Sequence, residues 1–192
     1  MSRESRDMFS SISQNHPLRA LFAKLVQTRL LGTAQLNDIA AATYVTGVLV
    51  EFCHVDNLYK IRNSRGKALE DVGEMLIASN PILGGHSFIY EREVRKHIGD
   101  YTLFLAGIFP EYVARMHRQG RRLDSFVDYL KAGKESYSVV AAFDQFEFKD
   151  EAPLFRRLSE CFELCVFGLN LVKQDLERLQ NASHQQLGRM LD

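Results

Sequence analysis

The sequence predicts an all-α protein: a single-domain bundle of about six helices ending in a long heptad-patterned helix. Three observations carry that expectation. Apolar residues recur at three-and-four spacing in one segment after another. Glycine, proline and small polar residues fall between these segments at short intervals, and no pair of segments carries a hairpin signal. Near the C-terminus, Phe155, Leu158, Phe162, Cys165, Leu169, Val172, Leu176 and Leu179 alternate in steps of three and four without a break, the mark of a heptad seam.

Composition bounds the function before any motif does. The chain has 192 residues, 46% hydrophobic and 25% charged, which fits one globular domain with a sizeable core and argues against disorder. Twenty-four basic residues balance twenty-four acidic ones, so no global field draws in nucleic acid or an anionic membrane. No apolar run approaches the roughly 20 residues that cross a bilayer. The opening MSRESRDMFSSISQNHP has no apolar core of a leader, so a cytoplasmic protein is expected. Three cysteines without framework spacing fit reduced thiols in that compartment.

In order, residues 1–15 read as a flexible arm, residues 16–181 as the bundle and residues 182–192 as a loose tail. Pro17 suits a first helical turn, and Leu18, Leu21, Phe22, Leu25 and Leu30 give an amphipathic helix that Gly32 closes. Thr33 or Asn37 caps a second helix expected to reach about Arg62, with Ile39, Thr43, Gly47, Val50, His54, Leu58 and Ile61 on one stripe. Its run TYVTGVLVEF is β-branched, yet the helical spacing around it favours a helix. Asn63 to Gly66 form a turn, residues 68–78 a third helix, and Pro81 to His86 an irregular loop.

Ser87 offers a cap for the helix around which the sequence organises the chain, EREVRKHIGDYTLFLAGIFPEYV over residues 91–113. There Val94, His97, Ile98, Tyr101, Phe104, Leu105 and Ile108 share one face, and Pro110 bends or ends it. Gly107 could let another helix approach. A basic segment of Arg115, His117, Arg118, Arg121 and Arg122 follows, read as a solvated helix end, with nucleic acid an unfavoured partner. Asp124 caps a fifth helix, and the last begins near Pro153 behind Asp150 and Glu151. In that last helix Leu154, Cys161, Leu164 and Leu171 flank the seam, so its first half should be broadly buried while the second projects and pairs with another chain.

The residues with chemistry are few. Glu51-x-x-His54 and the four-apart pair Glu93 and His97 set a carboxylate beside an imidazole on two central helices. The pattern is similar in part to the ligands of di-iron helical bundles, with Glu74, Glu160 or Glu163 as possible further donors. Only the first pair has the bundle spacing. A single haem-ligating histidine is a second form of the same idea. The alternative is that His54 and His97 are core-edge histidines held by hydrogen bonds. Asp100 and Tyr101 extend the group as pocket candidates. Cys161 and Cys165, one turn apart, read as small core residues or half of a metal site. No phosphate loop or nucleophile elbow is present.

The expectation is therefore a cytoplasmic all-helical interaction module that forms a homodimer, through the seam residues Leu169, Val172, Leu176 and Leu179 or through the apolar end of the helix at residues 91–113, with protein or small-molecule partners open. Its rival is a metal- or haem-binding oxidoreductase using Glu51, His54, Glu93 and His97, with iron or haem as the cofactor. Whether the chain is an enzyme is left undecided by the sequence.

Overall fold

The computed structural model describes residues 16–63, 65–84, 87–119 and 128–191. Their regular secondary structure is all helical, apart from one isolated bridge between Arg62 and Ala68. The elements are α1 (Pro17–Val26), α2 (Ile39–Glu51), α3 (Val55–Leu58), α4 (Val72–Ala78), α5 (Pro81–Gly84), α6 (Phe88–Ile108), α7 (Pro110–Gln119), α8 (Tyr129–Ala142), α9 (Ala152–Glu160) and α10 (Phe162–Leu191). The chain is all-α, as expected, but divides into more and shorter helices than about six. No helix among the described residues is long and apolar enough to cross a membrane.

Polar side chains set five of the ten helix starts among the described residues, because the first backbone N–H groups have no partner within the helix. His16 caps α1, Asp38 caps α2, Asp71 caps α4 and Ser87 caps α6. Asp128, not Asp124, caps α8; Asp124 itself lies outside the described residues. The first helix widens into a π-helical stretch over Gln27–Thr33, which swings Leu30 into the core against Gly168. Arg29 there grips Asp175 of α10 with two hydrogen bonds of 2.5 and 2.6 Å.

Two expected helices are broken. The second stops at Glu51, because residues 52–54 turn and the short α3 follows, so Glu51 and His54 do not share a helical face. The last is interrupted at Cys161, whose backbone (φ −107°, ψ 22°) leaves the helical range between α9 and α10. At its other end α10 runs on as helix through residues read as a loose tail. The turn at residues 63–66 forms as read: Asn63 Oδ1 accepts from Arg65 and Lys67 N–H, and Gly66 takes φ +77°.

Helix α6 is the axis of the molecule. It packs against α8 on one side and α10 on another, with α4 and α2 also against it. Close approach needs small residues at the crossings: a methyl on Gly107 would lie 2.5 Å from Leu169 Cβ, and one on Gly99 would overlap the Tyr137 ring. Pro110 ends α6 and begins α7, as its missing N–H dictates. Around these crossings Val26, Leu30, Val45, Ile98, Leu103, Tyr137, Phe155, Phe162, Leu169 and Val172 form one continuous core.

Candidate functional site

The charged face of α6 gathers more chemistry than any other part of the described chain. Arg92, Lys96 and Asp100 follow one another at four-residue spacing, hence on one face. Arg92 is buried between rings, its guanidinium 4.0 Å over Phe148 and 5.8 Å over Phe155, while Nη2 pairs with Glu151 at 2.5 Å. Lys96 reaches Asp100 Oδ2 at 2.8 Å and lies 5.1 Å above the Tyr44 ring. Asp100 Oδ1 accepts hydrogen bonds from the Tyr44 hydroxyl at 2.6 Å and the Tyr137 hydroxyl at 2.8 Å.

The electrostatics of this group are settled by burial and pairing. Asp100 is 1% exposed. Burial alone would raise its pKa, but Lys96 and the two tyrosine hydroxyls together hold it below the ordinary carboxylate value. Burial, reinforced by the Asp100 charge, pushes both tyrosines well above the usual phenol range, so their hydroxyls stay protonated and donate. Burial works against the Lys96 ammonium and is outweighed by Asp100, with Glu51 and Glu151 adding to it. Both carboxylate oxygens are therefore occupied. The cluster fixes α2, α6 and α8 relative to one another and leaves no free base or nucleophile.

His97 sits one residue before, on the neighbouring face, 1% exposed among the rings of Phe52 and Tyr101. Its Nε2 is 3.1 Å from the Leu58 carbonyl, which can only accept, so the ring proton is on Nε2. Nδ1 is buried with no hydrogen-bond partner. Burial first, and the Lys60 charge second, lower the pKa to about 4, so the imidazole is neutral near pH 7.

The sequence-predicted ligand set is not assembled around it. Glu93 is exposed while His97 is buried, and no hydrogen bond joins them. Glu51 pairs with Lys60 at 2.8 Å. His54 stands at the start of α3, with Nε2 buried and unpartnered, and neither a hydrogen bond nor a ring contact connects it to His97. Among the described residues no three or more His, Cys, Asp or Glu side chains gather where they could hold a metal ion. Tyr101 is buried beside His97, its hydroxyl 3.4 Å from the Glu70 carbonyl.

The cysteine pair is core. Cys161 and Cys165 sulfurs lie 3.8 Å apart, both side chains buried, and the Cys161 thiol donates to the Arg157 carbonyl. Their contact lowers the Cys161 pKa and raises that of Cys165. Of the basic segment, Arg115 and Arg118 are exposed on α7, whereas Arg121, Arg122 and the His117 side chain lie outside the described residues.

The proposed dimer residues divide. Leu169 and Val172 are withdrawn into the chain's own core, because Gly107 lets α6 meet α10 at that level, and so they cannot line an interface. Leu176 is partly buried against the same core, and Leu179 is 49% exposed. The broad burial expected of the first half of α10 is also corrected. Leu164 and Phe167 face outward at 44% and 51% exposure, and Leu171 completes an i, i+3, i+7 stripe. Helices α8 and α9–α10 run antiparallel here, tied by Ser159 to the Lys134 carbonyl and by Lys134 to Glu163. One turn from that tie on each helix come the exposed Leu130 and Phe167.

No family model, curated protein or solved structure matches the chain. Sequence reasoning missed Arg92, Lys96, Tyr44 and Tyr137, although the four-residue spacing of Arg92, Lys96 and Asp100 along α6 was a readable signal. It also missed that α10 is apolar on two sides.

Proposed function

We propose that this chain is a cytoplasmic all-helical binding module that forms a homodimer, with the outward face of α10 as its contact surface. One observation carries the reading: α10 presents an inner apolar stripe to its own bundle and, on its outer side, the exposed Leu164 and Phe167 to solvent, with the half-buried Leu171 continuing their line. A helix apolar on two sides is suited to two neighbours. Covering the exposed half of Phe167 or Leu164 is worth on the order of 1 kcal/mol each, an incentive that a solvated helix leaves unused.

The far end of α10 supports the same reading. From Glu177 through His184 every residue is exposed, so this stretch projects beyond the body of the bundle. Unsupported helices shorter than about 12–15 residues are marginal in water, and a second copy would supply the missing support. The balance of charges, 24 against 24, sets no net repulsion between copies. The three free thiols fit a reducing compartment.

Multi-angle light scattering at micromolar concentration is the test. The wild-type chain should have twice the monomer mass, and Leu164→Glu with Phe167→Glu should return it to a monomer while leaving the far-ultraviolet circular dichroism unchanged. Leu179→Glu should weaken the dimer more mildly. A monomeric wild type overturns the proposal.

A further inference from the structure

A second, separate site lies in the cleft between α8 and α9. It is a cavity of about 350 Å³ lined by Ser138, Ala141, Ala142, Arg156, Ser159 and Glu160, within the size range of small-ligand sites. Its floor is made of small side chains at the C-terminal end of α8, which is why the two helices leave space there. Arg156 and Glu160 stand one turn apart on α9 and so rise on the same side of the cleft.

Their charges are not spent on each other. Among the described residues Arg156 enters no ion pair, and Glu160 is drawn instead to Arg157, with Oε2 3.7 Å from its Nη1 and Oε1 left over. The Ser159 hydroxyl donates to the Lys134 carbonyl at 2.8 Å, which leaves its oxygen able to accept. Ser138 is exposed and can donate or accept. A bare anion here would meet Arg156 but also Glu160 and the carbonyl end of α8, and a bare cation would meet Arg156. Only a molecule with both charges finds an opposite at each end.

We infer that this cleft binds a small zwitterion, an amino acid or ω-amino acid whose carboxylate lies on Arg156 and whose ammonium lies on Glu160, with its methylenes over Ala141 and Ala142. The site is independent of the dimer surface, which lies on the outer face of α10.

The experiment is a backbone amide NMR titration of the full chain with 4-aminobutyrate, butyrate and butylamine. 4-Aminobutyrate should shift residues 138–142 and 156–160 saturably, with a Kd of about 1 mM or tighter. Butyrate and butylamine should each bind at least tenfold more weakly, because each leaves one charge unmatched. Arg156→Gln and Glu160→Gln, both at exposed positions, should each weaken 4-aminobutyrate at least tenfold with an unchanged melting temperature. Failure to saturate by about 10 mM, equal shifts with all three probes, or unaltered binding by either variant would overturn the inference.

Discussion

Acidification should destabilise this protein through His97, and by an amount the structure sets. The buried imidazole has a pKa of about 4, against 6.5 for the free side chain. The unfolded chain therefore binds a proton as pH falls through about 6.5, whereas the folded chain resists until about 4. The direction is a loss of stability on acidification, confined to that window and complete below it. Two and a half units at 1.36 kcal/mol each come to about 3 kcal/mol in total, of which about 2 kcal/mol is lost by about pH 5. The groups that act on the ring are Lys60 and Lys96, which oppose its protonation, and Asp100, which favours it. Asp100 itself is held below its ordinary value of 3.8, so its own contribution is lost only at still lower pH. The assay is urea unfolding followed by circular dichroism at several pH values between about 8 and 4.5, on the wild type and on His97→Gln, whose amide can still donate to the Leu58 carbonyl. The free-energy difference between the two proteins should shift by about 2 kcal/mol toward the variant on going from about pH 8 to pH 5. A difference that stays flat across this range would refute the assignment of a buried, neutral imidazole.

The crossings give two contrasting expectations. Gly107→Ala places a methyl against Leu169 and should cost about 1–3 kcal/mol, read as a lowered melting temperature. Gly47→Ala lies inside α2 with nothing within 4 Å and should instead stabilise by about 0.5–1 kcal/mol; a loss at this position would contradict the packing described for α2. Asp100→Asn strips Lys96 of its partner and should cost about 2–3 kcal/mol, below the 3–5 of a fully buried pair because the Lys96 side chain is 31% exposed. Adding Lys96→Met should recover part of that loss in a double-mutant cycle, and simple additivity would argue against the pair.

Much of the fold was legible because the features that decide it are local. Spacing identified the α6 face, Ser87 its start and Pro110 its end, and each acts over a turn or two of backbone. Breaks were harder to read where no glycine or proline marks them. Phe52, Cys53 and His54 are compatible with helix in isolation, yet α2 ends there and the chain turns into α3, whose Leu58 carbonyl meets His97 Nε2. Cys161 is likewise an ordinary helical residue, and the interruption beside it reflects how α9 and α10 pack against different neighbours. The candidate site was harder still. His97 stood out on the apolar face of α6 with Asp100 one turn on, but their partners Tyr44, Tyr137 and Leu58 come from 37 to 56 residues away. No spacing rule along the chain reaches that far.

The two apolar stripes of α10 explain why a heptad pattern read as an association seam takes in Leu169 and Val172, which the chain buries in its own core. A heptad seam identifies a helix that buries one side against another helix; it does not say whether that helix belongs to the same chain. Here α6 takes the seam, since Gly107 allows the contact, and Leu169 and Val172 are satisfied without a partner. What remains unsatisfied is the face the seam did not predict, where Leu164 and Phe167 stand exposed on α10, as Leu130 does on α8. That arrangement favours a partner lying along the length of α10 over one meeting only its tip, because the outward apolar area is concentrated where the helix is already held rigid by α6 and by the Arg29–Asp175 clasp. A rigid surface loses little conformational entropy on docking, whereas the projecting end must be ordered at the same moment.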